Sequence, residues 1–139
     1  MLVIRRIQDK AFQKELCEMC GVEYNERYFA YMAANGHPTD EGVVIDSYIG
    51  ILQFTMDMGG GYINSLRAVK GVDDDEALFI MTRAAMEYMS EIELPYVYID
   101  EDAADATLIH AMKFRRDEHG EYAIDLDEFY GSPCEYEPK

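Results

Sequence analysis

Basic residues are scarce: 12 lysines and arginines face 28 aspartates and glutamates, giving the 139-residue chain a formal net charge of −16. A surface this acidic repels phosphate backbones and anionic headgroups, which argues against nucleic acid or a membrane surface as partner. It admits a cationic or amine-bearing partner, and it serves solubility equally well. Long apolar runs are missing too. None spans a bilayer, and the N-terminal "MLVIRRIQDK" lacks the apolar region of a signal peptide, so a cytoplasmic location is expected. Three cysteines do not pair off, and disulfides are not expected. Cys17 and Cys20 form a C-x-x-C inside a helical pattern, with no second half-site at zinc spacing. Cys20 shares an apolar face with Phe12, Leu16 and Met19, which predicts core packing. His37, His110 and His119 show no metal-ligand spacing, and the acids from Asp100 to Asp105 lack the glycine and spacing of a calcium loop. Helix capping is the expectation there. The nucleophile-elbow, P-loop and zinc-protease motifs are all absent.

What is present is a foldable core. Apolar residues make up 49% of the chain, and the length suits one domain over residues 1–139. "LVIRRI" (2–7) alternates like a strand. Asp9 can cap a helix running to about Cys20, with Gly21 at its stop position. Tyr24, Tyr28, Tyr31 and Met32 recur at helical spacing, predicting a second helix over 23–34 that ends at Asn35-Gly36. A loop is expected over 36–42. "VVID" and "SYIGILQFTM" read as two strands, a glycine turn follows at 59–61, and "YINSLRAV" (62–69) reads as another strand. In that last strand Ile63 and Ser65 share one face while Leu66 and Ala68 share the other, a phase slip that a β-bulge or two-sided burial produces. The strongest helix runs from Asp73 to about Ile92, on Leu78, Met81, Ala85, Tyr88 and Ile92. Pro95 introduces a short strand "YVYI" (96–99). Asp102 can cap a helix through Met112 with Ala104, Leu108 and Ala111 inward. A hairpin closes the chain, turning near His119-Gly120, with Tyr122, Ile124 and Leu126 on one face. The class is α+β: a mixed, mostly antiparallel central sheet flanked by about four helices, with one parallel crossover near 62–99.

Along essentially the whole chain this order resembles the GNAT superfamily of acyl-CoA-dependent N-acetyltransferases. "SYIGILQF" is similar to the family's third strand, and "YINSLRAV" to its fourth, whose bulge and free backbone groups bind the pantetheine arm. "EALFIMTRAAMEYM" is similar to the helix after the pyrophosphate loop. "DEDAADATLIHAMKF" is similar to the fifth-strand exit and the fourth helix. The family's Leu-Gly-Phe ending there reads Met112-Lys113-Phe114 in this chain. The resemblance implies acetyl-CoA as cosubstrate along Leu66, Arg67, Ala68, Lys70 and Gly71. It also implies an amine-bearing small molecule or peptide as acceptor, on the side of the tyrosine-rich second helix.

The local chemistry departs from that pattern. The pyrophosphate loop, Q/R-x-x-G-x-G/A in the family, falls on Val72, Asp73, Asp74, Asp75, Glu76 and Ala77, and only the last position agrees. Two like charges about 4 Å apart cost about 1 kcal/mol in water and about 4 at an effective dielectric near 20, opposing what a helix N-terminus offers a phosphate. Asp73 at N-cap with Glu76 at N3 would instead make a capping box, with Asp74 and Asp75 facing the positive end of the dipole. The position of the family's acid tyrosine is Ile109. His110 beside it points about 100° away on a helix. No glutamate lies between Tyr62 and Val69; Tyr122, Tyr130 and Glu121 are the other proton-transfer candidates. Two functions follow as expectations. One is an N-acetyltransferase working by direct aminolysis through positioning. The other is a non-catalytic GNAT-like domain acting as a binding, regulatory or homodimerisation module. An open V between the fourth and fifth strands, with free amides at 72–76, favours the first; a sealed opening with a capped helix favours the second.

Overall fold

The structure is a computed structural model that describes residues 1–131. Its elements run β1 (Leu2–Ile7), α1 (Lys10–Cys20), β2 (Phe29–Thr39), β3 (Gly42–Asp57), β4 (Gly60–Ala68), α2 (Asp75–Glu91), β5 (Tyr96–Ile99), α3 (Ala106–Ala111), β6 (Arg115–Arg116), β7 (Tyr122–Asp125) and α4 (Leu126–Tyr130). The seven strands form one sheet in the order β1-β2-β3-β4-β5-β7-β6. Every neighbouring pair is antiparallel except β4 and β5, which are parallel as the crossover through α2 requires. The mixed, mostly antiparallel α+β architecture expected from the sequence is what forms.

Each face of the sheet has its own core. On one, α2, α3 and α4 cover Leu52, Phe54, Ile63, Leu66, Val97 and Ile124. Helix α2 supplies Leu78, Met81, Met86 and Met89, all buried, at about 2 kcal/mol of transfer free energy each. On the other, α1 lays Leu16, Cys17 and Cys20 against Val3, Ala30, Met32 and Ile51. The cysteines are free and buried, so core packing is their role. Asp9 caps α1 by accepting from the Ala11 and Phe12 amides, and Gly21 ends it in the left-handed region at φ 69°.

The helix expected over 23–34 does not exist. Phe29 to Thr39 is strand β2, paired with β1 on one side and β3 on the other. Ala33 faces the α2 core while Ala30, Met32 and Ala34 face the α1 core. Burial on both faces erases the alternation that marks a half-exposed strand, and the tyrosine spacing then mimics a helix. Nor is 36–42 a loop, since strand pairing continues to Thr39↔Gly42. Gly36 is needed because a Cβ there would lie 2.7 Å from the Val44 carbonyl oxygen. Pro38 is tolerated because β2 has outrun its β1 partner and is an edge.

The two strands expected over 43–56 are a single strand, β3. Its register shifts opposite Ala33/Ala34 and Asn35/Gly36 break the side-chain phase that suggested an interruption. The slip expected in β4 is a bulge: Gln53 pairs with Ser65 and Phe54 with Ile63, leaving Asn64 as the extra residue. That insertion lets Ile63 and Leu66 both reach the α2 core. Gly50 lets β3, β4 and α2 approach closely, since a Cβ there would sit 2.6 Å from the Arg67 carbonyl oxygen and 2.8 Å from Leu78 Cδ2.

Three further boundaries differ. The N-cap of α2 is Asp74, not Asp73, and it accepts from the Ala77 amide at 3.0 Å, so no Asp73–Glu76 capping box forms. Helix α3 starts at Ala106 after Asp105, because Asp100 to Ala103 make a turn rather than a helical first turn. Met112, not Ala111, packs inward from its end. In the closing hairpin Ile124 and Tyr122 share the core face as expected, while Leu126 already begins α4.

Candidate active site

Strands β4 and β5 pair over only three rungs, Gly61↔Val97, Tyr62↔Tyr98 and Ile63↔Ile99. A last bond, Asp100 N–H to Ile63 O at 3.2 Å, ends the seam beside the Asn64 bulge. Beyond it the strands separate, and the turn after β5 leans into the opening. The Leu66 amide donates to Ala103 O at 2.9 Å, and the Arg67 guanidinium donates to Asp102 O at 2.8 Å. Asp100 shapes that turn, its carboxylate accepting from the Asp102 amide and its carbonyl from the Ala103 amide. Ala103 and Ala104 are buried beneath it.

The expected cofactor residues therefore lie at the opening but have partners already. Leu66 is buried, and its amide and the Arg67 side chain are engaged with the turn. Ala68 pairs with Gly50 of β3. The Lys70 amide donates to Met19 O, and its side-chain stem lies beside Gly21 at the end of α1. Gly71 turns the chain at φ 86° in open space. Of the first-turn donors of α2, the Ala77 amide is taken by the Asp74 carboxylate and the Leu78 amide by the Asp74 carbonyl, and Asp75 and Glu76 add negative charge.

Along the same seam, from Tyr62 and Tyr98 to the splay at Asn64 and Asp100, lies a cavity of about 410 Å³ between β4, β5 and the β6–β7 hairpin. Tyr62 and Tyr98, neighbours across the parallel ladder, stack with ring centroids 5.0 Å apart at 13°. Burial, then the carboxylates of Asp57 and Glu121, push the Tyr62 phenol up from its ordinary value. Burial, then Tyr62 and Asp117, do the same for Tyr98. Both stay protonated at neutral pH. The Asp117 carboxylate receives the Glu121 and His119 amides, which hold its pKa down and fix the turn that presents Glu121. Arg116 spans the hairpin with its guanidinium 4.3 Å from the Tyr122 ring, bonded to Glu101 and to Gly120 O.

A buried polar cluster holds the carbonyls of Glu23 and Tyr28, at the start of the segment expected as a second helix. The Gln53 amide nitrogen donates to Glu23 O at 2.8 Å and to Ser65 Oγ at 2.9 Å, and its oxygen accepts from Gln13 Nε2 and Cys17 Sγ. Gln53 thus ties the 21–28 segment and α1 to β3 and β4 next to the bulge.

Of the catalytic candidates, Glu121 and Tyr122 line the cavity. Tyr130 does not; it sits edge-on to Phe129 on α4. Ile109 is buried and His110 is exposed on α3. The sequence reading missed Tyr62, Tyr98, Asn64, Arg116 and Gln53. For the stacked pair a signal was there. Tyr62 and Tyr98 stand in the two strands flanking the crossover, and a parallel register that sets them side by side puts both on one face. No metal-binding group of three or more ligands occurs among the described residues, and none of their helices is long and apolar enough to cross a membrane.

No family model and no curated protein matches the chain by sequence. Solved structures do match. The IAA acetyltransferase from Bacillus cereus superposes with a TM-score of 0.64 at 18% identity, covering 85% of this chain and 79% of that one. The GNAT-family N-acetyltransferase YhbS from Escherichia coli, solved with CoA, gives 0.64 at 14% identity, covering 94% and 85%. The ribosomal-protein-S18-alanine N-acetyltransferase from Escherichia coli gives 0.59 at 11% identity, covering 89% and 90%. At these identities the likeness is one of fold: the chain has the fold of the GNAT-family acetyltransferases.

Proposed function

We propose that the chain is an acyl-CoA-dependent N-acetyltransferase that moves an acetyl group to the amine of a small molecule or peptide. The observation that carries this is the splay: parallel pairing stops after Ile63↔Ile99, one residue before a bulge, so the two strands diverge around a slot. A pantetheine arm is an extended amide chain and would extend the ladder by bonding β4 as a strand would. That requires the Leu66 amide, so the turn at 100–103 withdraws as acetyl-CoA enters. In aminolysis the amine lone pair attacks the thioester carbonyl, the C–N bond forms, the C–S bond breaks, and CoA leaves as a thiol after taking a proton. The protein's part is positioning plus a sink for the ammonium proton, and Asp100, Glu101 and Glu121 are the carboxylates at the cavity wall.

Acetyl-CoA binding tests it, by calorimetry and by thermal shift. Ligand at about 100 times Kd adds about 2.7 kcal/mol to stability, and heat with saturation is the expected result. No binding at about millimolar ligand overturns the proposal. That negative result favours the second reading, a non-catalytic binding module, for which the bond between Leu66 and Ala103 and the Asp74 cap both speak.

A further inference from the structure

The cavity beside the Tyr62–Tyr98 stack has a one-sided chemistry. The stacked rings of Tyr62 and Tyr98 give it aromatic surface. Asp100, Glu101 and Glu121 add carboxylates, and Asp57 and Asp117 stand close enough to shift the two phenols. The single cation in the wall, Arg116, is spent on Glu101 and Gly120 O and covers the Tyr122 ring. The wall thus offers acceptors, negative charge and aromatic rings, and its one strong donor is already used. An anionic ligand would add to the repulsion, and a neutral one would leave the negative charge of the wall uncompensated. A donor carrying positive charge satisfies all three features, because a tyrosine stack attracts an ammonium through its ring quadrupole and an alkyl stem through its area.

We propose that this cavity binds a primary alkylammonium group, held by the Tyr62–Tyr98 stack and the Glu121 carboxylate, and that it thereby selects the acceptor. The selection of an acceptor rests on the acetyl-transfer reading; the binding itself does not. Alkylammonium chemistry reaches a protein from a free diamine or from a lysine side chain, and the two are separated by the probe.

The experiment titrates the full chain, without acetyl-CoA and at about 0.15 M salt to screen surface charge, with putrescine, with the capped peptide Gly-Lys-Gly, and with neutral 1,4-butanediol. Binding is followed by calorimetry and by the upfield ring-current shift of the ligand methylene signals. The expected result is saturable binding of an ammonium probe with that shift, and none of butanediol. Tyr62→Leu weakens binding about tenfold and Tyr62→Phe leaves it intact, because the ring and not the hydroxyl holds the cation. Glu121→Gln, at an exposed site, weakens it about fivefold. Tighter putrescine points to a small diamine and a tighter peptide to a protein lysine; either supports the proposal. It is overturned if butanediol binds as well, or if Tyr62→Leu and Glu121→Gln both bind like the parent, since general charge attraction then explains the heat. Should Tyr62→Leu fail to fold, Glu121→Gln and the ring-current shift still decide. Ammonium binding without acetyl-CoA binding removes only the transferase reading. Acetyl-CoA binding without ammonium binding removes only this one.

Discussion

Asp74 holds two jobs that oppose each other, and substitution separates them. Its carboxylate caps α2 by accepting the Ala77 amide at 3.0 Å, and its charge stands at the helix end where the proposed acetyl-CoA would carry its pyrophosphate. Asparagine caps as well as aspartate, so Asp74→Asn removes the charge and keeps the cap; Asp74→Ala removes both. Loss of the cap costs about 1 kcal/mol, a fall in Tm of about 4 °C for a chain of this size. Loss of one unit of repulsion from a phosphate about 6 Å away gains about 0.7 kcal/mol in bulk water and about 2.8 at an effective dielectric near 20. That is about threefold to about a hundredfold in affinity, with the exposed first turn placing the result toward the low end. The expected pattern is therefore split. Asp74→Asn melts within about 1 °C of the parent and binds acetyl-CoA more tightly. Asp74→Ala melts lower and binds more tightly too. Differential scanning fluorimetry and calorimetry read the two axes separately. Asparagine destabilising as much as alanine would refute the cap. Unchanged or weaker acetyl-CoA affinity in both variants would refute the placement of phosphate at this helix.

Three further outcomes follow from particular residues. Lys113, at the position where the fold family has glycine, sits at φ 79° after α3, so Lys113→Gly is expected to stabilise by about 1 kcal/mol in urea denaturation; a loss of stability would show that the lysine has a compensating contact. Gln53→Met leaves Ser65 and the Glu23 carbonyl without their buried partner and should cost about 3 kcal/mol, with faster hydrogen exchange over 22–28; a cost below about 1 kcal/mol would mean that the cluster does not hold that segment. Burial, followed by Glu18 for Cys17 and by Cys17 for Cys20, pushes the thiols up to about 11 and about 12. Folded values above the ordinary thiol value of 9.0 mean that this contribution is whole below pH 9 and is lost as pH rises toward 11 and 12. The urea midpoint should hold to pH 9 and decline by pH 10, the decline shrinking when both cysteines are alanine and leaving the share of the raised tyrosines; a decline unchanged by that substitution would contradict it.

How legible all this was in the sequence depended on whether a segment obeys local rules. Helices α1 and α2 announced themselves because one face of each is buried and polar caps mark their starts, and the β4 bulge showed as a phase slip at Ile63–Leu66. β2 was unreadable for a tertiary reason. Alanines 30, 33 and 34 are buried between two cores, and alanine in a fully covered strand looks like alanine in a helix. The junction at Leu66–Gly71 was placed correctly in the architecture. What occupies the Leu66 amide was invisible, since the Ala103 carbonyl comes from a turn more than thirty positions away whose spacing carries no code. The tyrosine cavity was likewise hidden: eleven tyrosines in the chain give each one little weight until the parallel register sets Tyr62 beside Tyr98.

The three-rung seam between β4 and β5 has a consequence for how the molecule is assembled in time. Strands β2, β3 and β4 follow one another through two-residue turns, so their ladders zip from neighbours at small entropic cost. Gly61 meets Val97 only after the whole of α2 has been laid down between them, and few rungs reward that long closure. The slot thus sits on the pairing that spans the widest stretch of sequence among the described strands, and a ligand lying in it would act as a fastener, adding to the ladder the rungs that the chain itself leaves out.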